Sequence, residues 1–156
     1  MSNTNNVNVP EAKAAMNRFK MEMEALSENE GFARVCVAAF VTRLDPTLEE
    51  INDVKTAVSE AVTNSVIHGY GGNGGKIIIE CSVENNTMEV MIKDFGKGIA
   101  DVEKAMEPMY TTDALHERSG MGFTFMEVFM DELKVVSEKG GGTTVIMKKT
   151  FGRITE

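Results

Sequence analysis

The sequence has few cysteines, little positive charge and no long apolar run, and each shortage excludes a class of protein. Its two cysteines, Cys36 and Cys81, stand apart among apolar neighbours, without the paired C-x-x-C spacing of zinc and redox sites. Acidic residues number 24 against 16 basic ones, so the net charge of −8 creates a field that repels DNA and RNA. We therefore expect two buried free thiols and no nucleic-acid partner.

The sequence also lacks a segment suited to a membrane. Residues 1–10 are polar and rich in Asn, without the basic leader and apolar core of a signal peptide. The longest apolar stretch, residues 35–41, is far too short to cross a bilayer. These features predict a cytoplasmic protein. We expect a single domain over residues 16–156, preceded by a disordered tail over residues 1–15.

Strand and helix patterns alternate in the first half of the domain. Between Phe19 and Ala25 apolar and charged residues alternate, which is the period of a half-buried strand. Capping boxes at residues 27–30 and 47–50 predict where two helices begin. The first helix is expected to bury Phe32, Val35, Cys36, Ala39 and Phe40, and the second Ile51, Val54, Val58, Ala61, Val62 and Ser65.

The second half of the domain predicts two hairpins separated by a loop and a helix. The expected elements are strands over 76–83 and 87–93, a short helix over 101–106, a loop or lid over 108–119, a helix from Phe123 to Leu133, and strands near 134–137 and 143–149. This order predicts an α+β protein. Its helices would cover one face of a mixed, mainly antiparallel sheet, as a two-layer α/β sandwich.

Two polar residues on the second predicted helix are candidates for chemistry. Glu60 and Asn64 are four residues apart, so their side chains leave the same face of the helix from adjacent turns. A carboxylate can accept a proton from an attacking hydroxyl, and an amide oxygen is a hard ligand that suits Mg²⁺. Because an isolated E-x-x-x-N pair is typical of any solvated helix face, the pair indicates a site only alongside other motifs.

Further candidates lie in three glycine-containing segments. Asp94 follows a strand in the pattern D-x-G-x-G, where a buried carboxylate could accept from an exocyclic amine such as that of adenine. Alone, this pattern is equally typical of a tight turn. Gly96 and Gly98 would let the backbone approach the base. Before the next helix, Arg118, Gly120 and Gly122 suit a phosphate at the helix N-terminus, and Thr143 could add a contact to the base.

Taken in order, these segments resemble the N, G1 and G2 boxes of the GHKL ATPase/kinase superfamily. The segments 60–70 (EAVTNSVIHGY) and 117–123 (ERSGMGF) are similar to those of the anti-sigma factor serine kinases of spore-forming bacteria. The likeness extends from Met21 to Met147. It implies a Bergerat-type fold, ATP or ADP with Mg²⁺ as ligands, and a homodimer.

The resemblance also implies partners and residue roles. The partners would be a sporulation sigma factor, which the protein inhibits, and a STAS-domain anti-anti-sigma factor, which it phosphorylates on serine. Arg34 matches a first-helix arginine that this family uses to contact partners, although by pattern alone it is a solvated cation. By this resemblance, Glu60 would be the general base, Asn64 the Mg²⁺ ligand and Asp94 the adenine acceptor. Gly120 and Gly122 would contact the phosphates, and Arg118 would be a cation of the lid.

Three alternatives stay open at this level. A general-stress anti-sigma switch kinase would share the chemistry and differ in its partners. A sequestering module would use the nucleotide only to stabilise its binding surface, without turnover. The catalytic domain of a sensor histidine kinase is disfavoured, because the chain shows neither a phosphoacceptor helix pair nor a membrane anchor.

Overall fold

The computed structural model of the protein describes residues 16–107 and 122–152. Within these ranges five strands and four α-helices follow one another along the chain. They are β1 (Asn17–Glu24), α1 (Asn29–Val41), α2 (Leu48–Asn64), β2 (Lys76–Glu84), β3 (Thr87–Asp94), α3 (Val102–Ala105), α4 (Gly122–Phe129), β4 (Glu132–Ser137) and β5 (Thr143–Thr150). The predicted tail over 1–15 and the predicted loop over 108–119 lie outside the described residues.

The strands form one sheet in the order β1-β2-β3-β5-β4, and each neighbouring pair is antiparallel. Along β2 the residues alternate, so that Ile77, Ile79 and Cys81 are buried while their neighbours are partly exposed. The buried side chains join those of α1, α2 and α4 in one core. The expected two-layer α+β fold with helices on one face of the sheet is confirmed. The sheet was expected to be mixed, whereas all four strand pairs of the described residues are antiparallel.

The face of α1 that packs on the core differs from the prediction. The helix buries Ala33, Val37, Ala38 and Val41, whereas Phe32 and Val35 are 59% and 56% exposed. Apolar residues surround most of this helix, so the periodicity did not select one face. The buried side chains of α1 are small, which lets α1 lie close to α2, whereas Phe32 and Val35 face outward.

The capping box expected at residues 27–30 is also wrong. The N-cap of α1 is Glu28, and no side chain accepts a hydrogen bond there. Instead, Asn29 Nδ2 donates to the carbonyl oxygen of Glu24 at 2.9 Å, which ties the start of the helix to the end of β1. The tertiary contact replaces the local cap.

The two cysteines differ in their surroundings. Cys81 is buried as expected, and desolvation raises the pKa of its thiol to about 12, so it stays protonated at neutral pH. Cys36 is only half-buried, because it lies beside the outward face of α1. The expectation of two buried thiols therefore holds for one of them.

Helix α2 agrees closely with the prediction. Thr47 Oγ1 accepts from the Glu50 backbone N–H at 3.1 Å, and Glu50 Oε1 accepts from the Thr47 N–H at 3.0 Å, which completes the capping box. After Asn64 the chain continues as a π-helical turn over Ser65–Gly69. Such turns are uncommon and are often found at functional sites.

Helix α4 is shorter than expected, since Leu133 belongs to β4 and the helix ends at Phe129. The backbone N–H of Asp131 donates to the Lys148 carbonyl, and Asp131 Oδ2 accepts from the Thr150 N–H. These hydrogen bonds to β5 replace the helical ones, so the helix ends before Asp131. Lys149 is 9% exposed and donates to the Phe129 carbonyl at 2.8 Å. Within the two described ranges, no helix is both long enough and apolar enough to traverse a bilayer.

Candidate functional site

A cavity of about 360 Å³ opens where α2 and its π turn meet the ends of β3 and β5. Helix α3 and the start of α4 close its other sides. Of the residues selected from sequence, five line it: Asn64, Asp94, Gly98, Gly122 and Thr143. Segments that are far apart in the sequence therefore meet around one space of a size suited to a small ligand.

Asp94 is the polar anchor of this cavity. It ends β3 and is 3% exposed. Its Oδ1 accepts from the backbone N–H of Gly96 at 3.0 Å and of Thr143 at 3.3 Å, and its Oδ2 accepts from Ser65 Oγ at 2.9 Å. A carboxylate has about four acceptor positions. Donors from the residues that the structure describes occupy three of them, which leaves one position on Oδ2 for a ligand donor.

The glycines after Asp94 hold its loop against neighbouring backbone. A Cβ on Gly96 would lie 2.1 Å from the Gly69 carbonyl oxygen, and the Lys97 N–H donates to that same oxygen at 2.8 Å. Gly98 has φ +70°, and a Cβ there would lie 1.7 Å from the Glu138 carbonyl oxygen. Gly98 lines the cavity, whereas Gly96 is not among its lining residues. A contact from Gly96 to a bound base stays a prediction.

The start of α4 faces Glu60 and Asn64 on α2. A Cβ on Gly122 would lie 3.2 Å from both amide atoms of Asn64 and 3.3 Å from Glu60 Oε2. Glycine here thus lets the positive end of the helix approach two polar side chains. Asn64 lines the cavity, while Glu60, one turn earlier on the same helix, lines a second groove together with Arg34.

The other candidates lie elsewhere. Arg118 and Gly120 fall outside the described residues. Arg34 is on α1, where its guanidinium donates to Glu30 Oε1 at 3.3 Å and its side chain is 47% exposed. Arg34 is therefore not part of the cavity.

Several residues of the site were missed by the sequence reasoning. Ser65 was assigned to the apolar face of α2, although a hydroxyl in a core position needs a partner, which is Asp94. Gly142, which the sequence offered only as the residue paired with Thr143 and with no role of its own, has φ +75° and would place a Cβ 2.2 Å from the Asp94 carbonyl oxygen, so it permits the close approach of β5. Ser137 Oγ donates to the Gly142 carbonyl at 2.8 Å and fixes this turn. The serine in an apolar stripe was the sequence signal for Ser65, whereas no sequence pattern pointed to Ser137.

Within the described part of the chain, no group of three His, Cys, Asp or Glu side chains is placed to hold a metal ion. A metal at this cavity would take Asn64 as a protein ligand and complete its coordination with ligand oxygens and water. Mg²⁺ is commonly held in this way, through few protein ligands and the phosphates of a nucleotide.

Comparison with known proteins adds a family and a fold. Residues 23–149 match the model of the histidine kinase-like ATPase domain. The chain is 56% identical over 140 residues to the anti-sigma F factor of Clostridium acetobutylicum, covering 90% of this chain and 98% of that protein. It resembles the RsbU and RsbW domains of Rv1364c from Mycobacterium tuberculosis, with TM-score 0.64, 18% identity, and coverage of 90% and 34%. It also resembles the catalytic domain of the histidine kinase ThkA, with TM-score 0.54, 17% identity, and coverage of 88% and 96%.

Proposed function

The chain belongs to the histidine kinase-like ATPase family and, within it, to the anti-sigma F factors, and we propose that it transfers the γ-phosphoryl group of ATP to a serine of an anti-anti-sigma factor. It binds and inhibits the sporulation sigma factor sigma F. The structural likenesses confirm the Bergerat-type fold that the sequence resemblance implied. The observation that carries the nucleotide site is the buried Asp94 carboxylate with one open acceptor position in a cavity.

In this proposal the nucleotide lies between Asp94 and the start of α4. The Asp94 carboxylate accepts from the exocyclic amine of adenine, and the Thr143 side chain lies beside the base, because both residues line the cavity. Gly122 at the N-terminus of α4 allows backbone N–H groups to face the phosphates. Gly120 and Arg118 contribute from the segment that precedes α4.

Asn64 is proposed as the protein ligand of Mg²⁺. Its amide oxygen is a hard donor, it lines the cavity, and it faces the helix end where the phosphates would lie. The ion would neutralise charge on the β- and γ-phosphate oxygens. The chemistry of Asn64 and its position in the cavity therefore fit a magnesium ion.

Glu60 is proposed as the general base. It accepts the proton of the serine hydroxyl while the serine oxygen bonds to the γ-phosphorus and the bond from that phosphorus to the ADP oxygen breaks. Its carboxylate lies beside the site of Gly122, within reach of the phosphate end of the cavity. It also lines the groove between α1 and α2, through which a hydroxyl can approach.

The test is transfer of label from γ-labelled ATP to the purified STAS-domain anti-anti-sigma protein. We expect the label on a serine of that protein, dependent on magnesium. If no label is transferred while sigma F is still bound, the protein is a sequestering module. If label goes instead to a general-stress anti-anti-sigma factor, the proposed phosphoryl transfer is correct and the proposed sporulation partners are wrong. A cytoplasmic location follows from these partners.

We also propose a homodimer, formed through the outward face of α1. This face carries Phe32, Val35 and Ala39 at helical spacing, all exposed, with Cys36 partly buried beside them. The neighbouring β1 is an edge strand of the sheet. A second copy of the chain would cover both the apolar face and the open edge.

Phe32→Glu should therefore convert the dimer to a monomer, because it places a charge at the centre of the apolar face. Sedimentation velocity at micromolar concentration would measure the shift. Leu48→Glu is the matched control, since Leu48 is 83% exposed on α2. A dimer that survives Phe32→Glu, or is lost equally in the control, would count against this face.

Arg34→Ala is expected to weaken sigma F binding about 10- to 100-fold, which corresponds to losing one well-placed interface arginine. The affinity is measured by fluorescence anisotropy with ATP and magnesium present. Lys134→Ala is the control, since Lys134 is an exposed cation on β4, at the other edge of the sheet. Equal affinities for the two variants would remove Arg34 from the partner surface.

A further inference from the structure

A second groove, of about 410 Å³, runs between α1 and α2. It shares no lining residue with the nucleotide cavity, yet it includes Glu60, whose carboxylate also approaches Gly122 at the start of α4. Among the described residues, Glu60 is thus the side chain of the proposed reaction that borders the groove. The lining residues are Arg34, Asn52, Lys55, Thr56, Ser59 and Glu60.

Most of the groove is one polar stripe of α2. Residues 52, 55, 56, 59 and 60 follow the spacing that places side chains on one side of a helix. The buried apolar residues of α2, such as Val54 and Val58, face the core instead. The stripe ends at Glu60, so a chain that lies along it would bring one of its residues to that carboxylate.

The groove holds two cations, Arg34 and Lys55, and one carboxylate, Glu60. Arg34 is paired with Glu30 at 3.3 Å. Among the residues that the structure describes, the ammonium of Lys55 has no carboxylate within ion-pair distance, as is also true of Lys93, Lys97, Lys134 and Lys139. Lys20, Lys76, Lys148 and Lys149 each have at least one. What sets Lys55 apart from these other unpaired lysines is its place, since it lines the same groove as the proposed general base.

We propose that this groove receives the serine-bearing segment of the substrate protein and that Lys55 binds a carboxylate of that segment. The inference rests on the proposed phosphoryl transfer. Glu60 is five residues from Lys55, which corresponds to about 7.5 Å along the helix axis and about 140° around it. An extended segment rises about 3.3 Å per residue, so the carboxylate would lie about two to three residues from the serine. Lys55 is a recognition residue and takes no part in the bond-breaking step.

The kinetic test compares Lys55→Glu with Lys134→Glu, which makes the same charge change on the exposed outer face of β4. We expect Lys55→Glu to raise the KM for the STAS protein about tenfold or more, because a favourable ion pair becomes a repulsion. The kcat at saturating substrate and the Kd for ATP should stay near those of the native protein. Lys55→Arg, which keeps the charge, should restore much of the lost affinity.

A binding measurement keeps this inference separate from the kinase proposal. Anisotropy reports binding of the STAS protein in the presence of a non-hydrolysable ATP analogue, and carbodiimide couples a lysine to a carboxylate in contact with it. We expect Lys55→Glu to bind more weakly than Lys134→Glu, and mass spectrometry to find Lys55 joined to an acidic residue near the serine.

Two results would overturn the groove assignment. One is equal binding and KM for Lys55→Glu and Lys134→Glu, with no crosslink at Lys55. The other is a loss of ATP affinity in Lys55→Glu that accounts for the whole change, since Lys55 would then act through the nucleotide site. If the native protein transfers no phosphate at all, the kinase proposal fails, and the binding and crosslinking results still decide the groove.

Discussion

Replacing Glu60 by glutamine is expected to lower kcat for serine phosphorylation by about 10²- to 10⁴-fold, the usual contribution of a general base. The amide has the shape of the carboxylate but cannot accept the serine proton. The Kd for ATP should change less than about twofold, because Glu60 is not among the residues that line the nucleotide cavity. Single-turnover transfer of labelled phosphate measures the first quantity, and calorimetry with magnesium measures the second.

Glu49→Gln is the matched control for Glu60→Gln, because it makes the same substitution at an exposed position in the first turn of the same helix. It should leave both quantities unchanged. If Glu60→Gln reduces ATP binding as much as it reduces turnover, Glu60 contributes to holding the nucleotide and the general-base role is wrong.

The second large effect is expected for Asp94→Asn, which should weaken binding of both ATP and ADP by about 100-fold or more. The reason is that the NH₂ group of asparagine would face the NH₂ group of adenine in a buried site, where neither donor finds an acceptor. Two backbone N–H groups point at Oδ1, so the amide oxygen of asparagine would take that position. The NH₂ group would then replace Oδ2, where Ser65 and the adenine amine need an acceptor. Calorimetry with each nucleotide measures the loss.

The fold should largely survive Asp94→Asn, since the Ser65 hydroxyl can rotate and accept from the amide instead. Circular dichroism on heating checks this. Ser65→Ala serves as the comparison, because it leaves the carboxylate and its open acceptor position in place and should reduce affinity much less. Nucleotide affinity that is unchanged in Asp94→Asn would place the base elsewhere and remove the main support for the site.

Local patterns predicted most of the elements. The capping box at Thr47 and the hairpin of β2 and β3 depend on contacts between residues close in sequence, so they could be read directly. Helix α1 was different, because Phe32 and Ala33 are both apolar and only one of them is in the core. The end of α4 was also missed, since the bond from Asp131 to β5 joins segments about twenty residues apart in the chain.

The sequence by itself determined the fold class, the family and the set of residues that could bind a nucleotide, because these depend on periodicity and on motifs in a given order. Only the tertiary structure decided which candidates share a cavity. It placed Asn64, Asp94 and Thr143 together and put Glu60 on the wall that faces a second groove. The physical reason is that the open acceptor position of Asp94 and the uncompensated charge of Lys55 depend on neighbours brought together by folding, which no local pattern records.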